Sequence, residues 1–215
     1  MRGSGRAQAQ VVDPGADAGR LEVGRVAPPG DLAWCVDYAW WVRWDTADPY
    51  DQEVVPRPVV HVAAEVWDGD ARLVVTGVPT RRFRRRLEGR GRSVALAFRP
   101  GGFRPFLPGP ASELVDVTAT VAEVLGVPDH EIARRLVDPD VALDEAGREL
   151  LAWCAALAPD PDPVVDEVAA LVEVAEADPA IRRADHLADL AGVSLRTLQR
   201  RFREKAERAV KKGVI

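Results

Sequence analysis

A chain of 215 residues, 47% hydrophobic and 29% charged, has room for one mid-sized domain and a small one, and enough apolar content to bury a core. No apolar run approaches the roughly 20 residues needed to span a bilayer, and MRGSGRAQAQ leads into no apolar signal core, which argues against a membrane protein and makes the cytoplasm the expected location. Cys35 and Cys154 have no CxxC partner, and His61, His130 and His186 are scattered, so neither a disulfide framework, a zinc ribbon nor a cofactor is expected.

The net charge of −5 conceals an asymmetry: Ile181 to Ile215 carries ten Lys or Arg against four Asp or Glu, leaving −11 for everything before it. A basic end on an acidic body suits a DNA-contacting module joined to a regulatory one, because phosphate contacts need only local positive charge.

In chain order, residues 1–27 are rich in Gly, Ala and Asp without a sustained period and read as a disordered lead, with structure expected from near Leu32. WCVDYAWWVRWD from Trp34 is aromatic and partly alternating, hence a strand; its alternation sends Trp40 and Trp44 to one face and Trp41 to the other. VVHVAAEVW and ARLVVTGV flank a DGD turn and read as a hairpin. The basic stretch RRFRRRLEGRGR, read as a solvated edge, precedes the strand SVALAF and a turn at Pro100, Gly101 and Gly102. Short strands separated by turns predict a β-sandwich or small barrel.

Beyond Pro110 the apolar period moves toward 3.6, predicting helices in ASELVDVTATVAEVLG (capped at Ser112), HEIARRLVD and DEAGRELLAWCAALA. APDPDPVVD is a proline-punctuated linker, and VVDEVAALVEVAEADPA resumes as an amphipathic helix. The expected organisation is α+β: a β-rich sensing or dimerising domain with appended helices over 28–158, then a small all-α module over 159–215.

ADHLADLAGVSLRTLQRRFRE, Ala184 to Glu204, is the most informative stretch. Asp185 suits the N-cap of a short helix, Gly192 the left-handed residue that ends it, and Ser194 the N-cap of a second helix. On that helix Leu198 and Phe202 share a face, expected to pack on Leu187, Leu190 and Val193, while Arg196, Gln199, Arg200 and Arg203 point away with Thr197 at the flank. Arg can grip guanine O6 and N7, Gln can pair with adenine N6 and N7, and both can contact phosphate. Ser194, Arg196, Thr197, Gln199, Arg200 and Arg203 are therefore the expected DNA-binding residues.

LADLAGVSLRTLQRRF resembles the first helix-turn-helix of AraC-type regulators at Leu187-Ala188, Gly192 to Ser194, and Arg196, Leu198, Arg200 and Phe202. RRFRRRLEGRGRSVALAFRPGGFRPFL is similar to the N-terminal domain of one branch of that family, in which Leu-Glu-Gly-x-Gly precedes a strand and a Phe-Arg-Pro-Gly-Gly turn. The resemblance covers roughly residues 30 to 204 and implies a transcription regulator whose front domain binds a small-molecule effector or a second subunit. AraC-type DNA-binding domains resemble two such units joined by a long helix, whereas this chain continues EKAERAVKKGVI. All three lysines, Lys205, Lys211 and Lys212, fall in that tail, so truncation after the first unit is the expectation. With one unit per subunit, binding at a promoter operator implies a homodimer.

Other readings carry less. The arginines from Arg81 to Arg92 could hold an anionic effector, the tryptophans and Phe98, Phe103 and Phe106 could wall a pocket, and His61 with Glu65 could start a cupin-like metal site that lacks a third ligand. No GxSxG elbow or GK[ST] loop occurs, so no enzyme is expected. The remaining alternative is a truncated interaction or dimerisation module without useful DNA affinity.

Overall fold

The computed structural model describes residues 21–54, 57–67, 69–81, 83–178, 180–181 and 183–205, and for 50, 52–54, 67, 83–84 and 201–205 the backbone alone. It is a mixed α+β structure, a strand-rich front followed by helices, as the change of period implied.

Strands β1 (Leu21–Val26), β2 (Val36–Val54), β3 (His61–Trp67), β4 (Asp70–Thr76), β5 (Phe83–Phe98) and β6 (Thr118–Thr120) form one antiparallel sheet in the order β1-β2-β5-β3-β4-β6. Among the described residues the strands thus gather into a single six-stranded sheet. The long β2 and β5 form its spine, with β2 breaking register between Thr46 and Tyr50. The β3–β4 hairpin turns through Gly69 at φ +87°, where a residue without Cβ meets no penalty.

Alternation decides which side chains meet the helices. Val94, Leu96 and Phe98 of β5 lie on one face with Val62 and Ala64 of β3, their register partners being Ala64↔Val94 and Val62↔Leu96. Helices α1 (Val121–Leu125), α2 (His130–Val137) and α3 (Leu143–Leu157) close over that face with Val121, Ala133, Leu136, Leu150, Leu151 and Cys154, and all of these side chains are buried in one cluster. Burying each Leu, Val or Phe contributes about 1.5–3 kcal/mol relative to exposure. Phe98, Phe103 and Phe106 form part of this packing, with Phe98 edge-on to both others at centroid distances of 4.9 and 5.6 Å.

Polar contacts fix the layers. Thr120 and Glu123 make a reciprocal capping box that starts α1, and Gly126 ends that helix at φ +69°. The buried Asp129 carboxylate accepts from the Leu73 backbone N–H at 2.8 Å and from the Arg72 guanidinium at 2.8 Å, tying the start of α2 to β4.

Three expectations change. Residues 21–26, assigned to the lead, form edge strand β1 paired with β2 from Leu21↔Trp44 to Val26↔Ala39. The Trp41 ring lies on Gly24, where a Cβ would collide with it, and also reaches Gly147 of α3, so tertiary pairing creates a strand that local sequence does not announce. The stretch after Pro110 is not one helix capped by Ser112: Ala111–Leu114 is a 3-10 turn, followed by β6 and only then α1. The basic stretch is the first half of β5, continuous with SVALAF, and pairs with β2 along its length. Residues 1–20 and the tail after Lys205 lie outside the described residues.

Helix α4 (Pro163–Ala177) follows the linker. Asp162 caps it by accepting from the Val164 N–H at 3.0 Å, and Pro163 occupies the first turn, where its missing N–H costs nothing. Arg99, at the end of β5, binds Asp166 at 2.6 Å, and Arg57 reaches Glu176 at 3.6 Å, so both ends of α4 are tied to the strand domain.

Candidate nucleic-acid interface

The last two described helices, α5 (Ala184–Leu190) and α6 (Leu195–Lys205), are joined by a short turn whose hydrogen bonds explain its shape. The Val193 N–H donates to the Ala188 carbonyl at 3.0 Å and the Gly192 N–H to the Asp189 carbonyl at 3.1 Å, the paired bonds of a Schellman ending. Gly192 takes the left-handed conformation this requires, at φ +63°. Val193 then turns its side chain onto the module's apolar cluster.

Ser194 starts α6. Its hydroxyl accepts from the Thr197 N–H at 3.2 Å and lies 2.9 Å from the Thr197 hydroxyl, satisfying one of the unpaired amides of the first turn. Asp185 does not act as the expected N-cap: α5 starts two residues earlier, with Arg183 in the cap position. The Asp185 carboxylate instead pairs with Arg183, which holds it below the usual carboxylate range, and accepts from the His186 N–H at 3.1 Å.

Side-chain disposition on α6 follows its period. Leu198 is fully buried with Leu187 and Ala188 of α5, Val168 and Val172 of α4, and Ile181. Ser194, Arg196 and Arg200 are exposed, and Thr197 and Gln199 are partly so. Arg203 lies on the last turn of the helix; its side chain, like that of Phe202, is outside the described residues. Leu190 was expected in the cluster but is 63% exposed, because the helix ends on the turn carrying that position away from Leu198. Ala188 takes its place. The supporting role of α4 was missed, although Val168 and Val172, four apart, are its sequence signal. Chemically, the module offers a stabilised helix start and two exposed guanidiniums on one helix, the parts a phosphate or a base edge can engage. The backbone of α6 also comes close to the 3-10 turn at Ala111–Leu114, so the module sits against the strand domain.

The other candidates resolve into packing. Trp40 donates from Nε1 to His61 Nδ1 at 3.3 Å, and Glu65 pairs with Arg85, so the two residues weighed for a metal are already engaged. Among the described residues no group of three His, Cys, Asp or Glu could hold a metal ion. Burial pushes both the Cys35 and Cys154 thiols up to about 12. Among the described residues no helix is long and apolar enough to cross a membrane.

No curated protein and no solved structure matches the chain. A family model does: residues 24–120, from within β1 to the residue that caps α1, carry a domain described as a domain of unknown function (DUF6597), and the helix-turn-helix lies outside that match.

Proposed function

We propose that this protein is a sequence-specific DNA-binding transcription regulator of AraC type, with α6 as the helix that enters the major groove and the strand domain as an effector-binding or dimerising unit. The observation that carries the reading is the division of α6: Leu198 is fully buried while Arg196 and Arg200 on the same helix are exposed. A helix anchored on its apolar side by two others and starting on a capped serine can present arginines rigidly, which base readout requires. The basic excess of the last 35 residues supports it, since neutralising phosphates supplies most of the non-specific attraction to DNA. Contacts are assigned to Arg196, Gln199, Arg200 and Arg203, with Ser194 and Thr197 at the backbone-facing start.

A mobility-shift titration against fragments flanking the gene tests the reading. Binding weakens as salt rises, and Arg200→Ala costs about 1–3 kcal/mol on the specific fragment if it contacts a base. No salt-sensitive binding to any fragment would overturn it.

A second reading, an interaction module without useful DNA affinity, draws on Leu190 and Leu195, 63% and 38% exposed at the module's surface. A dimer in sedimentation that is lost in Leu190→Ser, with no DNA shift, selects that reading.

A further inference from the structure

A groove of about 1220 Å³ opens beside the covered face of the sheet, between the β1, β2 and β5 strands and the loop joining α2 to α3. Its charges are nearly matched. Arg43 pairs with Glu22, Arg90 with Asp45 at 3.0 Å, and Arg85 with Glu65. Arg92, which also lines the groove, makes no ion pair among the described residues. It sits directly opposite Arg43 in the β2–β5 register, and Arg43 sits opposite Glu22, so one row across three strands holds two cations and a single carboxylate. Like charges directly opposite destabilise a sheet unless an anion meets them.

The guanidinium of Arg92 is used on one side alone. Nη1 donates to the carbonyls of Asp138 and Val141, both at 2.7 Å, which fixes the group against the α2–α3 loop. Nε and Nη2 are buried and have no hydrogen-bond partner among the described residues. These two N–H groups form the side-on edge of the guanidinium, the fork that matches the two oxygens of a carboxylate. Leaving buried donors unmet is costly, and native proteins rarely tolerate it. Val137, the last residue of α2, and Pro139 of the α2–α3 loop give the groove its apolar lining on the side of the helices.

We propose that this groove binds a small organic carboxylate, its carboxylate gripped side-on by Nε and Nη2 of Arg92 and its apolar body laid against Val137 and Pro139. The α2–α3 loop beside the groove is held to Arg92 by the Asp138 and Val141 carbonyls. Occupancy is thereby felt at the junction of α2 and α3. The inference rests on the groove alone and not on the DNA-binding reading.

Calorimetric titration of the full chain with phenylacetate, indole-3-acetate and octanoate tests it, with phenylacetamide and inorganic phosphate as comparisons. At least one of the carboxylates is expected to bind saturably, the neutral amide not to bind, and phosphate to bind at least about tenfold more weakly, having the charge without the apolar body. Arg92→Lys keeps the charge but loses the fork and is expected to weaken binding about tenfold. Arg90→Ala, which removes an exposed neighbour already paired with Asp45, leaves binding within about twofold. Circular dichroism verifies that each variant folds; should Arg92→Lys fail to fold, Val137→Ser, which makes the apolar lining polar, is expected to weaken binding in its place. Absence of saturable binding by all three carboxylates, equal binding of the amide or of phosphate, or carboxylate binding unchanged by the folded Arg92 or Val137 variant would overturn the proposal.

Discussion

The indole of Trp40 donates its Nε1 hydrogen to Nδ1 of His61 at 3.3 Å, with the two rings edge to face at 6.0 Å. An acceptor nitrogen is an unprotonated one, so the contact requires neutral His61. Burial, reinforced by the positive charge of Arg57, lowers its pKa from 6.5 to about 4. The folded state therefore refuses a proton that the unfolded chain takes up as pH falls through that window. Stability contributed by neutral His61 is complete above pH 6.5 and is lost as pH falls toward 4, amounting to about 2–3 kcal/mol. Urea midpoints at pH 7 and pH 5 measure the loss, and His61→Gln, which has no charge to acquire, is expected to show a smaller difference. An equal pH dependence in both proteins counts against this account.

Asp129 is 2% exposed and serves two donors from β4. Asp129→Ala leaves the Leu73 N–H unmet and the Arg72 charge unpaired, and is expected to cost about 3–5 kcal/mol in equilibrium denaturation. Arg72→Met leaves that buried carboxylate with the Leu73 N–H but without its cation, and is expected to be destabilising by a comparable amount.

Ser194→Ala removes the acceptor for the Thr197 amide and is expected to destabilise the helix-turn-helix by about 1 kcal/mol, with Ser194→Asp recovering most of it. Hydrogen exchange is the suitable measurement: protection should fall in α6 and stay unchanged in the central strands.

Gly24→Ala places a methyl group where the Trp41 ring lies. Overpacking of this kind costs about 1–3 kcal/mol, and the ring must move off β1, so the tryptophan emission is expected to shift together with the loss of stability.

The legible parts of this chain were those whose causes are local. Gly192, Ser194 and the spacing of Leu187 and Leu198 dictate the turn, its cap and its buried face from within a dozen residues, and the structure places them as read. The alternation of Trp40, Trp41 and Trp44 placed each ring on its proper side of β2. Strand β1 was hidden, since LEVGRV becomes a strand only once β2 is beside it and Trp41 has a glycine to rest on. The segment after Pro110 was read as one helix because its valines and leucines mimic a helical period, while β4 captures Thr118–Thr120 as a strand. The groove was equally hidden. Arg92 was visible as one arginine in a run, but its contacts come from Asp138 and Val141, far along the chain, and its register neighbour Arg43 lies on another strand.

Helix α4 serves two masters: charged clasps at Asp166 and Glu176 fasten it to the front of the molecule, while Val168 and Val172 belong to the helix-turn-helix. Apolar packing joins it to the helix-turn-helix, and two ion pairs reach the strand domain. Because partly exposed ion pairs fade with added electrolyte while apolar packing does not, the joint between the two halves is the ionic-strength-sensitive seam. A brine-soaked molecule should swing at that seam before either half melts.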